Sequence, residues 1–170
     1  MELTPERVAD ERDWVRDRAP VIVPLVNDVR TELAAIFDAD VSPITDRQYL
    51  RAVDDVFADG DLGVNVAAMV AILRTLDVQD DYPGFVVDEI LGRELAATIA
   101  GTPPLRTLGE ATFHYADVHV HGGPDENAGV DDLDAALAAG FQERIPGWPW
   151  TDRESPFALE RLEDGDLDGR

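Results

Sequence analysis

Apolar residues recur three and four positions apart through most of the first hundred residues, the spacing of one face of an α-helix. Thr4-Pro5-Glu6 opens the first helix: threonine caps, proline suits the first helical position, and glutamate complements the dipole. Its few apolar residues are Val8, Trp14 and Val15. Ile22, Leu25, Val26, Val29, Leu33 and Ile36 form the next stripe, and with Pro24 in the first turn the spacing predicts a helix over about 23–37. Thr45 and Gln48 make a capping box for a third helix carrying Tyr49, Leu50, Val53, Val56 and Phe57. After Ala58–Gly63, Asn65 is read as the cap of a fourth helix, apolar almost all round and so expected in the middle of a bundle. Tyr82-Pro83-Gly84 reads as a turn. A fifth helix follows, with Val87, Ile90, Leu91, Leu95 and Ile99 inward and Gly101 as its left-handed stop.

The pattern changes after Gly101. Pro103 and Pro104 favour extended chain, and Gly109 to His121 is rich in Thr, Phe, Tyr and Val, which reads as a strand. Gly122 to Gly129 is a loop, and Val130 to Phe141 is a short amphipathic helix with Leu133, Leu137 and Phe141. An irregular stretch follows, then a last short helix from Ser155 with Phe157, Leu159 and Leu162. The fold class is therefore mainly α. A helical bundle spans 1–105, an extended β-arm 106–122, and a C-terminal extension with short helices and an acidic tail 123–170.

Composition changes the picture in one respect. The 170-residue chain has a net charge of -22, with 36 acidic residues against 14 basic ones. Every basic residue is arginine and lysine is absent. Such a chain repels nucleic acid and anionic lipid, so neither sequence-specific nucleic-acid binding nor membrane association is expected. Its 45% hydrophobic content argues against disorder. The acidic, lysine-free balance resembles that of proteins from salt-loving archaea, whose KCl-rich cytoplasm screens self-repulsion. Without cysteine there is no disulfide or thiolate chemistry. The start has no basic region leading into an apolar run, and no apolar stretch approaches the roughly 18 residues of a membrane span.

All three histidines fall within Thr112–Gly123. On a strand, Phe113, Tyr115, Asp117, His119 and His121 would share one face, and Thr112, His114, Ala116, Val118 and Val120 the other. His119 and His121 would then stand about 6.5 Å apart along the chain, and both could reach one ion at about 2.1 Å. Asp117 or Glu126 could supply a third ligand. "DVHVHGG" looks like the opening segment of amidohydrolase-type metal hydrolases, but the chain ends far short of the roughly 200 further residues that barrel needs. "HVHGGPDE" resembles part of a cupin motif, but cupins are many-stranded jelly rolls and Phe113 stands where that motif has glycine. Histidines on a partly exposed strand are the simpler reading, so neither metal nor cofactor is expected.

Other chemistry finds little support. "DGDLDG" (Asp164 to Gly169) copies the start of a calcium loop, but the chain ends before the twelfth position. Ser42 and Ser155 each precede proline and suit turns or caps, and no nucleophile elbow or phosphate loop is present. The chain reads as no enzyme. Trp148 and Trp150 flank a proline, where they either cap their own bundle or anchor a neighbouring subunit, with Phe157 extending that patch.

"RTLGEATFHYADVHV" (Arg106 to Val120) resembles a segment of head–tail connector (adaptor) proteins of tailed viruses. In that family a helical domain is followed by a glycine–acid–small–β-branched–aromatic motif before an extended arm. Gly109, Glu110, Ala111, Thr112, Phe113 and Tyr115 are the matching positions. The resemblance implies a virion structural protein of a haloarchaeal virus, assembled in the host cytoplasm. It implies a ring of identical subunits adjoining portal or tail proteins. A lone strand needs a hydrogen-bonding mate, and strand addition to the next subunit supplies one. Phe113, Tyr115, Val118 and Val120 on the arm, with Trp148, Trp150 and Phe157 beyond it, are then the interface candidates. The alternatives are a binding or regulatory module in the cytoplasm of a halophilic archaeon and a metal enzyme using His119 and His121.

Overall fold

The computed structural model describes residues 2–75, 82–101, 105–119 and 128–147, and among them every regular element is a helix. In chain order these are α1 (Pro5–Asp17), α2 (Ala19–Ile36), α3 (Asp46–Ala58), α4 (Gly60–Thr75), α5 (Tyr82–Ala100), α6 (Leu105–His119) and α7 (Ala128–Arg144). The mainly helical bundle is as the periodicity predicts. The β-arm is not: its residues as far as His119 form α6.

The physical reason lies in the residues that α6 buries. Leu108, Gly109, Thr112, Phe113 and Ala116 repeat at one and four positions, a helical stripe within a β-rich composition. Thr, Phe and Val suit strands only where a pleated neighbour receives them. Here α6 packs on both α5 and α7, which also pack on each other, and together these three helices make the densest packing among the described residues. A Cβ on Gly109 would come within 2.7 Å of the Ala100 Cβ and 2.9 Å of the Ala96 carbonyl oxygen, so α6 meets α5 backbone to backbone.

The central helix is α7, not α4. Residues 133–143 are buried on every side, and α7 touches α2, α3, α4, α5 and α6. Ala135, Ala136, Ala138 and Ala139 are small enough to be buried in any direction, which an amphipathic reading keyed to Leu133, Leu137 and Phe141 overlooks. By contrast, α4 leaves Val64 and Ile72 exposed. Its start is also earlier than the Asn65 cap predicts. It begins at Gly60, and the Asn65 amide donates to the Asp61 carbonyl from inside the helix, at 2.8 Å. On α5, Ile90 faces outward at 51% exposure while Leu95, Ala96, Ala97 and Ile99 are buried. Tyr82 to Gly84 belong to this helix rather than to a turn, and the Val87 side chain lies outside the described ones.

Local signals held elsewhere. Thr4 accepts from the Arg7 amide at 3.1 Å with Pro5 at the first position. The Thr45–Gln48 capping box is complete, at 3.2 and 2.9 Å. Gly101 has φ of 116° and donates its N–H to the Ala97 carbonyl, as a left-handed stop does. The second helix departs from its predicted start near 23: it begins at Ala19, directly after the Arg18 cap of α1, so Pro20 takes the first turn and Pro24 stands inside the helix. No single described helix is long and apolar enough to cross a membrane.

Polar side chains inside the bundle are paired across helices. Asp134, 2% exposed on α7, receives both Nε and Nη2 of Arg18 at 3.0 and 2.5 Å. Glu11 is 1% exposed and takes Arg7 at 3.1 Å and Arg74 at 2.8 Å. Trp14 lies between the guanidinium groups of Arg18 and Arg74, at 5.3 and 4.6 Å. The Tyr49 hydroxyl donates to the Val15 carbonyl at 2.7 Å, and its ring meets Phe141 edge-on at 5.6 Å. Burial pushes the Tyr49 phenol well above its usual range, so it stays protonated.

Candidate functional site

The polar centre of the bundle gathers where α2, α6 and α7 converge. Arg30 leaves the apolar stripe of α2 between Val29 and Leu33 and is itself buried. Its Nη1 donates to the carbonyls of Ser42 and Pro146, each at 3.1 Å. Its Nη2 donates to those of Gln142 and Ile145, at 3.0 and 2.7 Å. These are the last carbonyls of α7 and its exit, which have no partner within the helix itself. A guanidinium there satisfies them and complements the negative end of the helix. Ser42 is held in place because Asn27 pins the neighbouring Ile44 through both backbone groups, at 2.7 and 3.3 Å.

Burial lowers the Arg30 pKa to about 10, with Glu143 opposing the shift. The group therefore remains charged at neutral pH. Glu143, 1% exposed, accepts from the Gln142 amide at 2.6 Å and from the Thr112 hydroxyl at 3.4 Å. Residue order alone singles out no member of this cluster for chemistry, although an arginine interrupting an apolar helical stripe is a visible signal. Both of its terminal nitrogens are committed to backbone carbonyls, which makes it a clamp on the end of α7.

Beside the clamp, Leu33 of α2 and its C-cap Phe37 meet Leu108, Ala111 and Tyr115 of α6 around an apolar niche of about 40 Å3. Thr112 and Glu143 also line it. That volume holds a water or a methyl-sized group, not a substrate. The ends of α2 and α6 beside it, joined by the His119–Glu32 pair, carry exposed apolar residues. Ile36 is 53% exposed, Phe37 41%, and Val118, one turn beyond Tyr115, 77%.

The predicted interface residues divide on this face. Tyr115 and Val118 lie on it, whereas Phe113 is fully buried in the chain's own core and is no interface residue. A Cβ on Gly92 of α5 would come within 2.9 Å of the Phe113 ring. Val120, Trp148, Trp150 and Phe157 lie outside the described residues.

The two described histidines, His114 and His119, do not converge. His119, half-buried at the end of α6, pairs with Glu32 of α2. His114, exposed, stands edge-on to Phe113 at 5.9 Å. His121 and Glu126 lie outside the described residues. Strand alternation does not set the spacing of His114 and His119, because successive helical residues turn by about 100° rather than 180°. Among the described residues no group of three His, Asp or Glu side chains could hold a metal ion.

Asp117 instead shares a hydrogen bond with Asp132 of α7, with Glu89 and His114 nearby. Desolvation between α5 and α7 raises its pKa first, the Asp132 bond opposes this, Glu89 raises it, and His114 opposes it. A carboxyl whose folded pKa is raised stabilises the fold fully at acid pH, and that contribution fades as pH climbs through the folded value. Asp117→Asn should therefore raise the melting temperature at pH 7 and leave it unchanged near pH 3. Because the side chain meets solvent, the gain should stay below about 1 kcal/mol. Thermal unfolding at the two pH values reads it directly.

A family model described as a domain of unknown function, DUF7984, matches residues 1–161. No curated protein and no solved structure matches the chain significantly.

Proposed function

We propose that this chain, which belongs to the DUF7984 family, is a non-catalytic assembly module that joins further copies of itself through the face shared by α2 and α6. The observation that carries the reading is the exposure of Ile36 and Phe37 at the end of α2 and of Val118 at the end of α6, ends that the His119–Glu32 pair brings together, on a molecule with a net charge of -22. Single exposed apolar residues are ordinary, but contiguous ones mark contact surfaces. Aromatic side chains at such a surface are the usual anchors of an interface.

Association here runs through side chains. The exchange of strands that suggested a ring has no basis where α6 satisfies its own backbone. A closed ring of the head–tail connector kind still follows if this face meets a different surface of the next copy at a rotation that closes. The second copy is the occupant that suits the composition. Like-charged surfaces approach only when salt shortens the screening length, to about 3 Å at 1 M, so association is tied to a salt-rich setting.

Size-exclusion chromatography with light scattering on the full chain, in molar KCl, tests this. Wild-type protein should elute as an oligomer, and Phe37→Glu or Val118→Glu should reduce it to a monomer with unchanged helicity. A monomer at every protein and salt concentration overturns the assembly reading.

A further inference from the structure

The end of α5, the start of α6, the end of α7 and the corner between α3 and α4 meet around a cleft of about 590 Å3. That volume is in the range of pockets that enclose a small organic molecule. Leu62, Ala100 and Leu105 supply apolar walls, and Asp59, Thr98, Glu143 and Arg144 supply polar ones. Two of these four polar side chains are already engaged. The Thr98 hydroxyl donates to the Glu94 carbonyl at 2.8 Å, and Glu143 accepts from the Gln142 amide and the Thr112 hydroxyl.

The other two have free capacity. Arg144 is half-buried, and its Nε donates to the Ile99 carbonyl, which fixes the guanidinium against the end of α5. Its Nη2 would lie 3.9 Å from a Cβ on Gly101, which also lines the cleft. Neither of its terminal nitrogens has an acceptor among the described residues. The Asp59 carboxylate, exposed at the C-cap of α3, has no donor among them either. Burial lowers the Arg144 pKa, and the charges of Asp59 and Asp55 oppose that shift. Asp59 is therefore near enough to act on the guanidinium, yet no contact within 4.0 Å joins the two.

A cation and an anion thus face one cleft with a gap between them. A ligand with only a carboxylate would suit Arg144 but meet Asp59 and the field of a chain at -22. A ligand with only an amine would suit Asp59 and be repelled by Arg144. A zwitterion satisfies both groups and carries no net charge. The terminal nitrogens of arginine match a carboxylate in a two-pronged fork, and an ammonium donates to a carboxylate. Leu62, Ala100 and Leu105 then ask for an apolar group on the same molecule.

We propose that this cleft binds a free α-amino acid with an aliphatic side chain, its carboxylate on the terminal nitrogens of Arg144, its ammonium on Asp59 and its side chain against Leu62 and Leu105. Ile36, Phe37 and Val118 do not line the cleft, so the site does not depend on the assembly reading.

The test titrates L-leucine into the full chain, carbon-labelled at leucine methyls, in molar KCl. The Leu62 and Leu105 methyl resonances should shift and saturate in the millimolar range. Isocaproate, which lacks the amine, and isoamylamine, which lacks the carboxylate, should each bind at least about tenfold more weakly. Asp59→Asn should leave circular dichroism unchanged and abolish the preference for leucine over isocaproate. Arg144→Met should abolish the preference over isoamylamine, and if it disturbs the fold the exposed Asp59 variant decides alone. Phe37→Glu should bind leucine as the unaltered chain does. Three outcomes overturn the proposal: no saturable shift of the two methyl groups, a half-ligand binding the unaltered chain as tightly as leucine, or a preference for leucine over isocaproate that survives Asp59→Asn.

Discussion

Arg30→Met should lower the stability of the fold by about 3–5 kcal/mol, the usual loss when one partner of a buried charged cluster is removed. Four carbonyls lose their donors, those of Ser42, Gln142, Ile145 and Pro146. Each acceptor left buried and unpaired costs about 1–3 kcal/mol. Pro146 is exposed and can turn to water, which keeps the total below the simple sum. Glu143 also loses the cation that opposes it. Against a total stability of about 5–15 kcal/mol, this is a large share. Arg30→Lys should fall between, because a compact ammonium keeps the charge but cannot reach four carbonyls at once.

Urea unfolding in constant KCl, followed by circular dichroism, measures both variants. A loss under about 1 kcal/mol for Arg30→Met would show that the clamp does not hold α7. The pH dependence carries a sign of its own. Arg30 has its folded pKa lowered to about 10. A depressed folded value adds stability only as pH rises past it, so Arg30 titration should leave the comparison flat from neutrality to about pH 9.

Gly140→Val should cost about 3 kcal/mol or more. A Cβ at Gly140 would sit 2.6 Å from the Ile99 Cβ and 3.0 Å from the Ala96 carbonyl oxygen. Neither neighbour is the free end of a long side chain, so α5 and α7 must separate to admit it. Overpacking of this kind costs about 1–3 kcal/mol, more where backbone must move. Valine recovers only a few tenths of a kcal/mol in helix propensity over glycine. Gly60→Ala is the control: nothing lies within 4 Å of a Cβ there, at the start of α4. Matched urea curves on the two variants should show a large loss for the first and almost none for the second. Equal effects would mean that α5 and α7 do not meet at such close range.

Local rules read from residue order alone held where the deciding atoms are neighbours in sequence. The Thr45–Gln48 box, the Thr4-Pro5 start and the Gly101 stop each involve groups within four residues, so their chemistry is complete before any packing is known. The same holds for the stripe of α2 that buries Ile22, Val26, Val29 and Leu33. Tyr115 and Val118 were legible as surface candidates, although on a strand that does not exist.

Residues 105–119 mark the limit of such reading. Thr112, Phe113 and Val118 weigh toward strand, while Leu108, Thr112 and Ala116 keep a helical interval. Which preference prevails depends on what lies alongside, and Ala96 and Ala100 of α5 offer a surface that only a helix with Gly109 can approach.

Sequence alone determined that this is an acidic, largely helical chain, because charge is a sum and helical periodicity is local. Tertiary structure decided which helix stands at the centre, what Arg30 clamps, and that Phe113 is core rather than contact. Those depend on backbone approach and on carbonyls more than a hundred positions from the guanidinium that meets them, and no spacing along the chain encodes such a meeting.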